Sequence, residues 1–359
     1  MIAEGLLTMA GMSNIRRNGM LQVVTLGDIN IDVIAHIPGY PQKGGEGLAE
    51  QGHIYCGGSA ANTAIVLGRF GVDVGIIGRV GEDALAPLAL AALDEAGVDG
   101  HGIQRDPEAI TGIILVAVTP DGERTMFGCR GANVRTDPAL LDEGYIAQAR
   151  IFHLSGYSLL ASPQRDAALR ALEISQKAGL TVTADLGLEA VMRVTDWAKA
   201  ILPQVDILFP SQPEAEYLTG HQDIEEVVKA LLDCGVGIVA LKLGKRGCAI
   251  ATGGEMIRVP GFAVPTVDTT GAGDSFDAGI ILGQLKGWGW RESALLANAL
   301  GALTATVEGA GNSLMERNEV CAFLESHLGQ LAWRDWQDEL RFLINFLRPP
   351  ESEKGLGGT

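Results

Sequence analysis

From residue 151 onward the chain alternates strand-like and helix-like segments without a break, and this alternation restricts the fold more than any other feature. Ile151–Leu154, Thr181–Asp185, Ile207–Phe209 and Val236–Leu243 are short apolar runs, separated by the helix-like stretches Pro163–Ala178, Val191–Ile201 and Ile224–Cys234. Strands joined by helical crossovers lie parallel in one sheet, and the crossover helices cover its faces. The expected class is therefore α/β, a three-layer fold with a mostly parallel central sheet flanked by helices. Leu21–Leu26 and Val74–Gly81 read as further strands and Ala84–Ala96 as a helix. Thr111–Thr119 and Glu123–Cys129 are β-rich and flank Pro120-Asp121-Gly122, a hairpin turn in which Pro presets φ and Gly takes a positive one. With Ala49–Cys56 this hairpin makes a small accessory sheet, while Ile34–Glu50 reads as an irregular excursion.

Ligands of open parallel sheets bind at the C-terminal strand ends, so polar residues there are the candidates for chemistry. Asn30 and Asp32 follow the first strand two residues apart and point the same way in extended chain. Such a pair can hold vicinal hydroxyls, or simply cap the strand as an Asx turn. Gly57-Gly58-Ser59 runs into a helix whose first turn carries Asn62. Asp185 ends another strand, as a cleft residue or a turn cap.

The most specific stretch is Asp268–Gly279, D-T-T-G-A-G-D-S-F-D-A-G, between a strand-like segment (Met256–Val267) and a helical run (Ser275–Leu285). Gly271 and Gly273 permit a tight turn in which the amides of Ala272, Gly273 and Asp274 converge on the positive helix end, an anion site. A carboxylate beside an anion cradle suits a hydroxyl that loses its proton while attacking a phosphoryl group, and Asp274 is that carboxylate.

Composition narrows the partners. Acidic residues outnumber basic ones 44 to 27, a formal charge of −17. Nucleic acid and anionic membrane both call for a basic face, so neither is expected. The five cysteines are scattered without a C-x-x-C pair, which points to a reducing, cytoplasmic setting. No apolar run is long enough to span a bilayer. The opening stretch to Met20 lacks a long apolar core and reads as a flexible extension. Neither G-x-x-G-x-x-G near Val74–Gly81 nor the turn at Gly244 has the spacing of a dinucleotide fingerprint or a Walker A loop, which disfavours an NAD-dependent dehydrogenase.

The D-T-T-G-A-G-D stretch, the G-x-I-N-x-D pattern at Gly27–Asp32, the Gly57–Asn62 element and the Gly131-Ala132-Asn133 turn together resemble the ribokinase-like (PfkB) carbohydrate kinase family over about residues 21–328. The resemblance implies a ribokinase-like kinase domain over 21–330, with a β-sheet lid from about 33–56 and 110–130 that also serves as a dimer surface. It implies transfer of phosphate from ATP to a primary hydroxyl of a small sugar (ribose, fructose or a keto-deoxy sugar acid), with Asp274 as base and Gly271, Ala272 and Gly273 as anion hole. Asn30, Asp32, Gly57, Gly58, Ser59 and Asn62 would hold the sugar; Ser59 stands where ribokinases often carry lysine. Lys242, Gly244, Gly247, Thr269 and Asn298 would border the nucleotide. Glu214, in a Ser-x-x-Glu that replaces the usual Asn-x-x-Glu, would organise Mg²⁺ through water, or merely favour its helix start. Asp268, Thr270, Thr304, Val307, Gly309 and Ser313 would hold a monovalent cation, K⁺. A nucleoside kinase of the same family, and a non-catalytic sugar or nucleotide sensor on this fold, are the alternatives.

Beyond the resemblance, Trp333, Trp336, Leu340, Leu343, Ile344 and Leu347 recur at three- and four-residue steps, an amphipathic helix over 331–348 that packs on the domain or self-associates. The Gly-rich end, 349–359, reads as a disordered tail.

Overall fold

The computed structural model describes residues 20–348. The expected extension before Met20 and the tail over 349–359 lie outside them. The described strands, in chain order, are β1 (Val23–Leu26), β2 (Asn30–His36), β3 (Gln51–Gly57), β4 (Val74–Gly81), β5 (Ile103–Asp106), β6 (Gly112–Val118), β7 (Arg124–Cys129), β8 (Ile151–Ser155), β9 (Thr181–Asp185), β10 (Ile207–Leu208), β11 (Ile238–Lys242), β12 (Cys248–Ala251) and β13 (Met256–Val259). They form a nine-stranded sheet of order β13-β12-β11-β10-β9-β8-β1-β4-β5 and a four-stranded sheet of order β3-β2-β6-β7. From β11 to β5 the large sheet is parallel throughout; β12 and β13 turn back antiparallel at one edge.

The parallel strands are covered on both faces, which is why β1 is buried at every position. Apolar residues on the two sides form two separate clusters, one including Ile65, Leu67 and Ile280, the other Phe152, Leu172 and Leu231. The helices that matter for the site are α1 (Ser59–Arg69), α2 (Ala272–Lys286) and α3 (Trp290–Thr304), with α4 (Gln337–Leu347) behind them.

Several expectations shift. β2 runs on to His36, so the segment read as irregular from Ile34 starts as a strand of the small sheet. The strand-like stretch from Met256 stops at Val259, and the following residues reach Asp268 without regular structure. Val191–Ile201 is two short helices broken at Val194. The helix over 331–348 is a 3₁₀ turn, Leu331–Trp336, followed by α4. Its apolar face is spent within the chain: Leu340, Leu343, Ile344 and Leu347 are buried, and Trp333 stacks on Phe262 with ring centroids 4.2 Å apart. That face is therefore not available for self-association.

The small sheet stands over the C-terminal ends of the large one because β2 follows β1 after three residues, Gly27–Ile29. Strand alternation turns Asn30, Asp32, Ile114, Arg124, Met126 and Gly128 toward a cleft of about 1900 Å³ between the two sheets. The opposite face carries Ile54, Leu115 and Phe127, each at least half exposed.

Candidate active site

The floor of the cleft is the turn into α2. Gly271 caps the helix at φ 77, a left-handed conformation that L side chains rarely adopt. Asp268 pins the turn from below: its Oδ1 accepts the Thr270 amide at 2.9 Å and hydroxyl at 2.8 Å, and its Oδ2 accepts the Gly309 amide at 2.9 Å. Of the amides expected to converge, that of Ala272 closes onto the Thr269 carbonyl at 3.2 Å. Those of Gly273 and Asp274 meet no acceptor among the described residues, and at the start of the helix they are free to meet an anion.

Asp274 sits in the first turn of α2, where Asn62 of α1 donates to its Oδ2 at 2.7 Å. The Asn62 carbonyl oxygen in turn accepts the Gly311 amide at 3.2 Å. Both ends of that amide are thus engaged by protein, and Asn62 orients Asp274 rather than reaching freely into the cleft. Burial, reinforced by the negative charge of Asp185, pushes the Asp274 carboxyl up to about 6. Thr63 adds a hydroxyl to the Asp274 carbonyl at 3.3 Å.

Across the cleft, Asp32 projects from β2 with its Oδ1 buried and unpaired. Burial raises its carboxyl to about 7, against the pull of Arg124 and with the push of Asp274 and Asp268. Asn30 accepts from the Asn133 side chain at 2.8 Å, and Asn133 also exchanges bonds with both backbone groups of Ile29. The Gly-Ala-Asn turn therefore braces the β1–β2 connection. Gly57 and Gly58 allow this crowding: a Cβ on Gly57 would lie 2.4 Å from Asp32 Oδ2, and one on Gly58 2.1 Å from the Asp28 carbonyl. Ser59 lines the cleft beside them.

Beneath the Gly271–Gly273 turn Lys242 and Asp185, both named from the sequence, meet Asp277, which was not, in a charge cluster that spacing alone did not disclose. Lys242, at the end of β11, pairs with Asp185 at 2.9 Å and with Asp277 at 3.3 Å, and its Nζ is 3.2 Å from where a Gly273 Cβ would stand. Burial opposes charge on all three. The two acids outweigh it and raise Lys242; Lys242 lowers Asp185 against its burial; and burial raises Asp277 well above the usual carboxylate range. One oxygen each of Asp185 and Asp277 is buried without a partner. Glu214 forms a capping box, accepting the Ser211 hydroxyl at 2.7 Å and amide at 3.2 Å. It nonetheless faces the cleft, and burial with the nearby Asp185 raises it to about 7.

Two arginines of the small-sheet side went unnoticed in the sequence. Arg130 forks onto Asp28 at 2.8 and 2.7 Å, with Gln164 also donating to Asp28 at 2.7 Å. Arg124 pairs with Asp268 and the Thr270 hydroxyl. Both bonds join residues more than 100 apart in the chain, which no local spacing signals. On the far side, Gly244, Gly247, Thr269 and Asn298 line the cleft, Asn298 donating to the Val259 and Pro260 carbonyls at 3.2 and 3.0 Å. Thr304 bonds Ser275 at 2.8 Å. Val307 is exposed, Gly309 lies against the Tyr55 ring, and Ser313 ends a short 3₁₀ turn.

The model of the pfkB family of carbohydrate kinases matches residues 20–317. A fructokinase-1 of Oryza sativa subsp. japonica is 34% identical over 324 residues, covering 85% of this chain and 98% of its own. An ATP-dependent ribose-1-phosphate kinase of Halopiger xanaduensis is 36% identical over 305 residues, with 85% and 98% coverage. An E. coli protein assigned to ribokinase II, solved in complex with ATP and Mg²⁺, superposes with a TM-score of 0.78 at 28% identity, over 86% of this chain and all of that one.

Proposed function

Because the chain belongs to the pfkB family of carbohydrate kinases, and so is a sugar-phosphorylating enzyme, we propose that it transfers the γ-phosphoryl group of ATP to a primary hydroxyl of a small sugar bound under the small sheet. The observation that carries this reading is the pairing, at the start of α2, of two free amides with a buried carboxylate held by Asn62. In this reading Asp274 accepts the hydroxyl proton, and the Gly273 and Asp274 amides meet the charge on the moving phosphoryl group. Asp32, with its unpaired oxygen, and Asn30 take the sugar hydroxyls. The nucleotide runs past Thr269 toward Gly244, Gly247 and Asn298, with Lys242 a positive charge beneath the turn.

Mg²⁺ fits the donors present. It needs one or two carboxylates besides phosphate and water, and Asp185 offers an unpaired buried oxygen close to Glu214. When bound it neutralises the phosphates of ATP. The small sheet acts as a lid that excludes water from the transfer, and its exposed row Ile54, Leu115 and Phe127 is a surface for a second copy of the chain.

A second reading, an acceptor that already carries a phosphate, is favoured by Arg124 and Arg130 lining the cleft and by the name of the Halopiger xanaduensis relative. The carboxylate partner of each guanidinium favours a neutral sugar instead. The deciding experiment measures ADP release from Mg-ATP over ribose, fructose, keto-deoxy sugar acids, ribose 1-phosphate and nucleosides. Turnover of one neutral sugar supports the first reading and of ribose 1-phosphate alone the second. Sugar or nucleotide binding without any turnover sinks both in favour of a sensor.

A further inference from the structure

The residues expected to hold a monovalent cation do not fit one at Asp268. Its Oδ1 already takes the Thr270 amide and hydroxyl and the Arg124 guanidinium, more than its two lone pairs, and its Oδ2 takes the Gly309 amide. The Thr304 carbonyl accepts the Val307 amide at 3.3 Å, and the Tyr55 ring covers Gly309. A positive charge is therefore in place already, and it belongs to the protein. A free cation on the same carboxylate would stand against the guanidinium at short range.

We propose that Arg124 is the resident cation of the anion-binding turn: a positioning residue that holds Asp268 and Thr270, and so the Gly271–Gly273 turn, in place, and makes turnover independent of K⁺. This rests on the kinase reading above. Arg124 opens β7, one residue past the hairpin turn Thr119–Gly122, on the cleft face of the small sheet. Its side chain is 16% exposed and that of Asp268 4%, so solvent screens the pair little. The charge that completes the floor of the site is thus carried by the sheet above it. The floor takes its final form only when β7 seats, which couples covering the acceptor to readiness for transfer. Arg130 has no such role, since it closes on Asp28 and Gln164 at the other end of the cleft.

The test uses Arg124→Ala and Arg124→Lys, prepared with the wild type in buffers whose only monovalent cation is tetramethylammonium. Wild-type kcat should be the same with and without K⁺. Arg124→Ala should lose up to about 10²–10³ in kcat, the cost of one anion-hole donor displaced when the turn shifts, with a smaller change in sugar KM. Millimolar guanidinium or K⁺ should restore part of that loss, by compensating the stranded charge of Asp268. Arg124→Lys, which keeps the charge, should stay K⁺-independent. Melting temperatures give a readout that needs no turnover: K⁺ should raise that of Arg124→Ala and leave that of the wild type unmoved. If the wild type needs K⁺, or is thermally stabilised by it, the proposal falls. It falls equally if Arg124→Ala changes only the acceptor KM, which would make Arg124 a contact to the substrate. If no sugar is turned over at all, the melting pattern still tests the cation, separately from the kinase reading.

Discussion

Asn62 holds Asp274 by a 2.7 Å hydrogen bond while its own carbonyl oxygen is tied to the Gly311 amide at 3.2 Å. Three elements far apart in the chain therefore fix one carboxylate. Asp274→Asn removes the carboxylate proposed as proton acceptor and keeps the shape. Its kcat should fall by about 10²–10⁴, the usual worth of a general base, with sugar and ATP binding by calorimetry nearly unchanged. Wild-type turnover in this variant would take the proton-accepting role away from Asp274.

The same bond sets a pH dependence. Burial puts the Asp274 carboxyl at about 6, and Asn62 pulls it down by favouring the ionised form. A base works only when ionised, so kcat/KM should fall about tenfold per pH unit below about 6. Asn62→Ala removes a bond to the charged form, so the acid limb should move to higher pH. Rate profiles of the two proteins between pH 5 and 8 show this directly, and a limb that stays put would separate Asn62 from the titration.

Gly58 precedes α1 at φ 109, and a Cβ there would lie 2.1 Å from the Asp28 carbonyl. Backbone cannot yield as a flexible side chain does, and the conformation is itself unfavourable for alanine. Gly58→Ala should therefore cost about 1–3 kcal/mol or more, seen as a lowered melting temperature, and should displace Asp28 and the Arg130 fork that faces it. An unchanged melting temperature would show that the β1–β2 connection moves freely.

The layered fold was legible in the sequence because each strand and helix announces itself through local periodicity. Val74–Gly81 and Thr181–Asp185 appear in the structure with the expected bounds. Asn30, Asp32 and Asp274 were also visible, since each stands at a strand end or a helix start. Other features were not. β5, Ile-Gln-Arg-Asp, is mostly polar and carries no apolar run, β12 was not separated from the turn before it, and β2 was hidden because its His36 end looks polar. Arg124 was not anticipated, and Lys242 was expected only beside the nucleotide; their partners Asp268 and Asp185 lie 144 and 57 residues away in the chain, and only the fold brings those together. Glu214 was anticipated as a metal-side acid or a helix-start acid, and its geometry shows the capping role with the carboxylate still facing the cleft.

The outer face of the small sheet yields a prediction on assembly. Leu115 pairs in register with Phe127 on one side and Val33 on the other, and Val33 with Ile54, making a continuous apolar row. Ile54, Leu115 and Phe127 are 58%, 50% and 58% exposed. Such a row on an exposed sheet is a place for a second copy to dock. Light scattering should give a dimer mass for the wild type and a monomer mass for Leu115→Lys combined with Phe127→Lys. A monomeric wild type would leave that face without a partner of its own kind.

Asp32 lets function and stability be weighed against each other. Its folded carboxyl is raised from 3.8 to about 7, chiefly by burial. Between those values the folded state holds a proton that the unfolded chain has released. More protons bound to the folded form means that stability falls as pH rises, so the contribution present below 3.8 is lost by about 7. The wild type thus bears a buried charge at pH 8 that Asp32→Asn does not. The variant should melt higher than the wild type at pH 8, by about 1–2 °C for each kcal/mol recovered in a chain of this length, and the gap should close toward pH 4. Its sugar KM should rise, because an amide replaces the acceptor that the cleft leaves unpaired. Stabilisation with a raised KM would mean that this carboxylate is kept, at a cost to the fold, for the acceptor it holds; stabilisation with an unchanged KM would remove Asp32 from the sugar site.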